Sequence, residues 1–223
     1  MKDILKQSLL FAVALLLFAA CSDWTKVESI DIKETMPWES NPAGWKDYQA
    51  RVRGYKARPH KLTYIRFANS PEGVLNEKGS LRSLPDSLDI VSLTNGENFS
   101  GYDAEDIARM KAVDIKLLYQ IELVKSENPA AAIDKAVSIV SKHSLDGFSF
   151  TAPGSGSASA VLDRLMAAKT EAQMIVFEGD PGILSPSDID RIDLFVLATQ
   201  AIETDFDLRN YLGDVLEAGV PRD

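Results

Sequence analysis

The chain has one cysteine and two histidines in 223 residues. The single Cys21 excludes an internal disulfide. His60 and His143 lie far apart in sequence, so no zinc-ligand spacing is present and no metal or cofactor is expected. The first strand-like run is not followed by a Gly-x-Gly-x-x-Gly turn, which removes the main signal for a dinucleotide site. Positive charge is also scarce: 24 basic residues stand against 33 acidic ones, a formal net charge of −9. That balance argues against nucleic acid as a partner and against a polybasic membrane patch. It leaves neutral glycans and cationic groups compatible. Long hydrophobic runs are missing as well. The apolar run Leu9 to Ala20 is shorter than the ~20 residues that a spanning helix needs.

That short run has a different use. Lys2 and Lys6 precede it, and it ends in Leu17-Phe18-Ala19-Ala20-Cys21. A basic start, a short apolar core and small residues before the cut make a signal peptide. Cys21 directly after Ala19-Ala20 resembles a bacterial lipobox. On this reading residues 1–20 are removed and Cys21 carries the acyl chains, since stable anchoring takes more than one chain. Cleavage takes away Lys2, Lys6 and Asp3 and moves the formal charge from −9 to −10. Residues 21–41 read as a tether with Pro37 and Pro42 nearby and no sustained period. The expected location is the outer membrane, lipid-anchored, facing the cell surface or the periplasm.

The domain spans residues 42–223, and hydrophobic residues at 45% of the chain suffice for one sizeable core. Pro42 sits at the first position of a predicted helix through Trp45, Tyr48, Val52 and Tyr55. Six short apolar runs follow: Lys61–Ala68, Leu88–Thr94, Ile115–Glu122, Leu145–Thr151, Gln173–Glu178 and Asp193–Ala198. They lack strict alternation, as strands covered on both faces do. Helical patterns separate most of them: Asp103–Val113, the segment capped by Asn128-Pro129, Ser159–Lys169, a short turn at Ser185-Pro186, and the segment capped by Thr204. Strand and helix in alternation imply parallel strands with right-handed crossovers. The expectation is α/β, a (β/α)8 TIM-barrel type. A closed barrel has about eight strands and about 250 residues, and the chain offers six strand runs before it reaches Asp223. The domain is therefore expected to be truncated after about six βα units.

Asp146-Gly147-Phe148-Ser149-Phe150-Thr151-Ala152-Pro153 resembles the signature strand of family 18 glycoside hydrolases, Asp-Gly-x-Asp-x-Asp-x-Glu. His143-Ser144-Leu145-Asp146-Gly147-Phe148 fits the usual lead into that strand, and Ile115 to Ile121 fits the family's third strand. The resemblance covers roughly Lys61 to the C-terminus and is nearest to lipoprotein members of glycan-uptake systems, the chitinase and endo-β-N-acetylglucosaminidase group. In such proteins the last Glu protonates the leaving oxygen, while the substrate's own acetamido group attacks. Here Ser149, Thr151 and Pro153 replace the three carboxylates. Pro153 cannot donate a proton and Thr151 cannot supply a charge. General acid help is worth about 10²- to 10⁴-fold.

The resemblance thus implies an inactive barrel that binds N-acetylglucosamine-containing glycans, of N-glycan or chitin type, beside components of an outer-membrane transporter. The alternative is an active endo-β-N-acetylglucosaminidase or chitinase with a relocated acid. Glu122 and Glu178 end the third and fifth strand runs, where barrel chemistry sits. Sugar-binding candidates at strand ends are Asn95, Asn98, Phe99, Tyr102, Glu122, Glu178 and Gln200, with Asp146 from the signature. Asn95-Gly96 is equally a capped turn, and Phe148 and Phe150 are core candidates. Pro153-Gly154-Ser155-Gly156-Ser157 reads as a flexible loop in place of the catalytic one.

Overall fold

A computed structural model describes residues 35–69, 79–123, 128–152 and 155–222. Residues 1–34, with Cys21, and the signature position Pro153 lie outside the described residues. Two compact units divide the chain, Met1–Pro42 and Ala43–Asp223. In the first, the described residues form one short helix, α1 (Pro37–Ser40), where Met36 N–H donates to Glu39 Oε2. No helix among the described residues is long and apolar enough to cross a membrane.

α2 (Pro42–Lys56) is followed, in the second unit, by six parallel strands: β1 (Tyr64–Phe67), β2 (Ile90–Leu93), β3 (Lys116–Glu122), β4 (Gly147–Thr151), β5 (Met174–Gly179) and β6 (Leu194–Leu197). Their order in the sheet is their order in the chain. A doubly wound sheet reverses its order at a switch point; this one does not, so it is the barrel-type winding. The helices between strands are α3 (Gly101–Ala112), α4 (Pro129–His143), α5 (Ser155–Ala168) and the short α6 (Pro186–Ile189), with α7 (Asp205–Glu217) after β6. The chain thus forms six units of a (β/α) barrel.

Caps set the helix starts. Asn128 Oδ1 accepts from Ala131 N–H, Ser185 Oγ from Asp188 N–H and Thr204 Oγ1 from Asp207 N–H. Two starts differ from the sequence reading. α3 opens at Gly101, because Ser100 and Asp103 form a reciprocal capping box. α5 opens at Ser155, so Ser155, Gly156 and Ser157 are helical rather than part of a flexible loop.

One core lies between the outer sheet face and the helices. Phe148, Phe150 and Phe177 are buried in it with Met110, Val140, Leu162 and Leu165, and Phe150 meets Phe177 edge-on at 5.2 Å. The inner face carries a smaller apolar layer of Ile90, Leu118 and Val176, packed by Tyr64, Met174, Leu194 and Val196. Side chains alternate across a strand, so the residues two positions further along these strands form the next inner layer.

The strand starts share one device. Asp89 Oδ2 accepts from Thr63 N–H at 2.7 Å, Asp146 Oδ2 from Leu117 N–H at 2.9 Å and Asp193 Oδ2 from Ile175 N–H at 2.7 Å. Each aspartate directly precedes an even-numbered strand and holds the strand before it. β1, β4 and β6 are shorter than the apolar runs of the sequence; before β1 the Thr63 N–H bonds to the Asp89 carboxylate. On the same end of the sheet, α2 sends Arg53 to the Ala112 carbonyl and Lys56 to the Leu88 carbonyl.

Gly147 explains why Asp-Gly stands at the head of β4. Its φ is +144°, and a Cβ there would lie 2.0 Å from the Met174 carbonyl oxygen. Only glycine fits that approach.

Candidate functional site

Above the apolar inner layer, five consecutive strands each contribute one polar side chain: Arg66, Ser92, Gln120, Ser149 and Glu178. β1 also contributes Tyr64 from the layer below. They converge on the Glu178 carboxylate. Tyr64 Oη donates to Glu178 Oε1 at 2.5 Å, and Ser92 Oγ donates to the same oxygen at 3.1 Å. Gln120 Nε2 donates to Oε2 at 2.7 Å, and Arg66 Nε faces that oxygen at 3.2 Å. Ser149 Oγ lies 2.6 Å from Ser92 Oγ, and Arg66 Nη2 donates to Gln120 Oε1 at 3.2 Å.

The network is closed on one side and open on the other. The Glu178 side chain is 6% exposed, whereas that of Arg66 is 49% exposed. Burial first, and then the adjacent Glu178 charge, hold the Tyr64 phenol far above its ordinary range, so Tyr64 acts as a donor. Each Glu178 oxygen receives two donors, and Arg66 and the Gln120 amide nitrogen have no acceptor capacity at all. A carboxylate held this way is a structural anion at the centre of the layer.

Ser149 and Thr151 occupy inner-face positions of β4, where the signature has carboxylates. Ser149 is fully buried. The Thr151 hydroxyl oxygen is buried and has no hydrogen-bond partner among the described residues. Glu178 therefore brings, from the neighbouring strand, the carboxylate that this layer lacks at position 149.

The other sequence candidates do not gather around Glu178. Glu122 ends β3, exposed, beside Thr151 in the ladder. Asn95 Nδ2 donates to the Asn69 carbonyl oxygen and Asn98 Nδ2 to Asn95 Oδ1, so both serve the turn after β2. Gly96 in that turn lies on the Tyr119 ring, which a Cβ would strike at 2.5 Å. Burial, with a smaller part from Glu97, pushes the Tyr119 phenol up to about 12. Phe99 packs on His143 at 4.2 Å, and burial draws that imidazole below its ordinary value. Tyr102 is half exposed on α3, and Gln200 is exposed in the turn after β6. Asp146 sits at the start of β4, the opposite end of the strand from Thr151, bound to Leu117 N–H. Trp45 stacks on Tyr48 at 5.2 Å along α2. Among the described residues no group of three or more His, Cys, Asp or Glu could hold a metal ion.

Tyr64, Arg66, Ser92 and Gln120 are absent from the sequence-based candidates. The signal that exposes them is positional: when the six runs are stacked in order, one polar side chain recurs near the C-terminal end of each of the first five, always on the face opposite the phenylalanines.

Fold and site together define the class: a parallel (β/α)-barrel protein whose polar centre lies on the inner sheet face, toward the strand C-termini. The family described as glycoside hydrolase family 18, BT1044-like, matches residues 25–149, more than half of the chain, and the chain belongs to this family. Among solved structures it is similar to one described as the selenomethionine form of BT1044 with a Glu-to-Gln substitution. There the TM-score is 0.64 at 19% identity, over 81% of this chain and 69% of that one. It is also similar to the family 18 chitinase ChiB from the chitin utilization locus of Flavobacterium johnsoniae, with TM-score 0.47, 12% identity, and 72% and 64% coverage. A family 18 chitinase from Pseudoalteromonas aurantia gives TM-score 0.46 at 14% identity, over 68% of this chain and 75% of that one. None of the curated proteins compared with this chain matches it.

Proposed function

We propose that this chain is a glycan-binding lipoprotein of the family 18 type that does not hydrolyse its ligand. One observation carries the reading. The carboxylate at the centre of the inner layer, Glu178, has both oxygens hydrogen-bonded and is buried, while the signature positions Ser149 and Thr151 hold hydroxyls. An acid catalyst must reach the leaving oxygen with a proton to give; Glu178 is turned inward onto donors. Membership of family 18 supports the ligand class: oligosaccharides containing N-acetylglucosamine, of chitin or N-glycan type. Asn95, Asn98, Phe99, Tyr102, Glu122 and Gln200 stand on the loops and strand ends that would meet the outer parts of such a ligand. The signal sequence supports a lipid anchor at Cys21 and an outer-membrane location, and the resemblance to lipoproteins of glycan-uptake systems supports transporter components as neighbours.

The test pairs two measurements on one preparation: cleavage of N-glycans and chitooligosaccharides, and affinity for the same compounds. Binding without turnover is the expected result. Turnover that disappears in Glu178→Gln or Glu122→Gln would establish a relocated acid and overturn the binding-only reading. Labelling with radioactive palmitate, lost in Cys21→Ala, checks the anchor.

A further inference from the structure

We infer that Arg66 is an anion-recognition residue and that the ligand of this barrel carries a carboxylate or sulfate group. The inference rests on the glycan-binding reading and narrows its ligand class. It follows from a count of hydrogen-bonding capacity in the inner layer. Both Glu178 oxygens are occupied, by Tyr64 and Ser92 on one side and by Gln120 and Arg66 on the other. Gln120 spends its oxygen on Arg66 and its nitrogen on Glu178. Ser92 and Ser149 bond to each other. What remains unspent and exposed is donor capacity. A guanidinium carries five N–H groups; Arg66 gives one Nη2 hydrogen to Gln120 and holds Nε 3.2 Å from Glu178 Oε2 as an ion pair. The Nη1 hydrogens and the second Nη2 hydrogen have no partner among the described residues.

Exposure and orientation give these donors their use. Arg66 is about half exposed although Glu178, its ion-pair partner, is buried. Its buried side is fixed at two points, so the free edge of the guanidinium is held rather than floppy. A planar edge of parallel N–H groups matches the two oxygens of a carboxylate or sulfate and forms charge-assisted bonds with them. Neutral sugar hydroxyls ask for acceptors as well as donors, and the acceptor atoms still open here, on Ser149 and Thr151, are buried, so the exposed hydrogen-bonding capacity of the layer is the donor edge of Arg66. Glu122, the exposed acid in the next layer of β3, has interactions of its own. The net charge of −9 slows the approach of an anion; it acts over distance and is screened by salt, whereas the pairing with Arg66 is a contact.

The test is titration calorimetry on the folded chain with three probes. They are neutral chitotetraose, a 6-O-sulfated chitooligosaccharide of the same length, and a hyaluronan oligosaccharide, which alternates N-acetylglucosamine with a carboxylate-bearing sugar. The expected result is tighter binding of at least one anionic probe, by about tenfold or more, with the preferred probe naming the group. Arg66→Gln abolishes that preference, read as the ratio of anionic-probe to chitotetraose affinity on the same variant. Arg66→Lys, which keeps the charge but loses the planar edge, retains part of it and serves if the Gln variant does not fold. Equal affinity for neutral and anionic probes overturns the inference and leaves the glycan-binding reading standing. A preference that survives in both variants also overturns it. Failure to bind any probe overturns both readings.

Discussion

The Tyr64 hydroxyl and the Glu178 carboxylate meet at 2.5 Å across the inner face of the sheet, one from β1 and the other from β5. Strands that are four positions apart in the sheet are thereby joined through side chains. The bond can form only because the sheet curls, and it helps to hold the curl.

Removing the charge at the centre of this layer should cost stability. In Glu178→Gln an amide nitrogen replaces one oxygen and is turned toward donors, whichever way it is placed. The expected loss is about 1–3 kcal/mol, read from urea unfolding as a lower midpoint at unchanged slope. Tyr64→Phe should cost less, about 1 kcal/mol, because Ser92 still serves the same oxygen.

Restoring the signature at Ser149 should fail for an electrostatic reason. Ser149→Asp would place a second carboxylate beside Ser92, which already bonds to Glu178. Two such groups in one buried site repel, and one is forced to take up a proton. The single substitution is therefore expected to destabilise the fold, and Ser149→Asp with Glu178→Ser to recover part of the loss. A double-mutant cycle with no coupling between the two positions would contradict this arrangement.

His60 should make stability depend on pH. Nδ1 faces the Arg58 carbonyl at 2.7 Å and Nε2 faces Asp89 Oδ1 at 2.9 Å, so both nitrogens face acceptors and the imidazolium fits. The bond to the Arg58 carbonyl, then the one to Asp89, raise the His60 pKa above its ordinary 6.5, although burial and Lys56 oppose this. Its contribution is complete below about 6.5 and is lost as pH rises through the elevated folded value. Asp89 has the opposite sign. Burial works against its charge, but the Thr63 N–H, His60 and the Thr63 hydroxyl draw its pKa down. Its contribution is present above about 4 and is lost as pH falls through the depressed value. The stability gap between wild type and His60→Gln should thus be widest near pH 5 to 6 and shrink toward pH 8.5. Thermal melts across that range measure it, and a gap that grows with pH would refute the sign.

The two signature residues that are kept should prove structural. Gly147→Ala drives a Cβ into the Met174 carbonyl at an unfavourable φ and should cost about 3 kcal/mol or more. Asp146→Ala strands the Leu117 N–H and should cost about 1–2 kcal/mol, with ligand affinity unchanged in calorimetry on the folded variant.

Winding and element order were legible because the apolar runs and the Pro, Asn, Ser and Thr caps are local signals. Phe148 and Phe150 were legible as core for the same reason. Glu178 was visible as an acid at a strand end, but its buried setting was not, because Tyr64, Ser92 and Gln120 come from three other strands. A parallel sheet covered on both faces hides its period, so nothing inside Tyr-Ile-Arg-Phe marks Arg66 as inward-facing. Asn95 and Asn98 hold the turn after β2, a use that residue type alone does not separate from sugar contact, because the residues that cap a turn are also those that bind sugars.

The aspartates at the strand starts divide the sheet into couplets: β1 with β2, β3 with β4, and β5 with β6. An aspartate carboxylate and the backbone both bind the strands within a couplet, whereas at their starts the junctions β2–β3 and β4–β5 have backbone bonds to the Asp89 and Asp146 carbonyls and, at β4–β5, the Gln173 amide on the Leu145 carbonyl, with no carboxylate on a strand N–H. Those two junctions are the seams of the sheet at that end. When the sheet opens, it should part there first, and amide protons of Lys116 and Met174 should exchange ahead of those of Leu117 and Ile175.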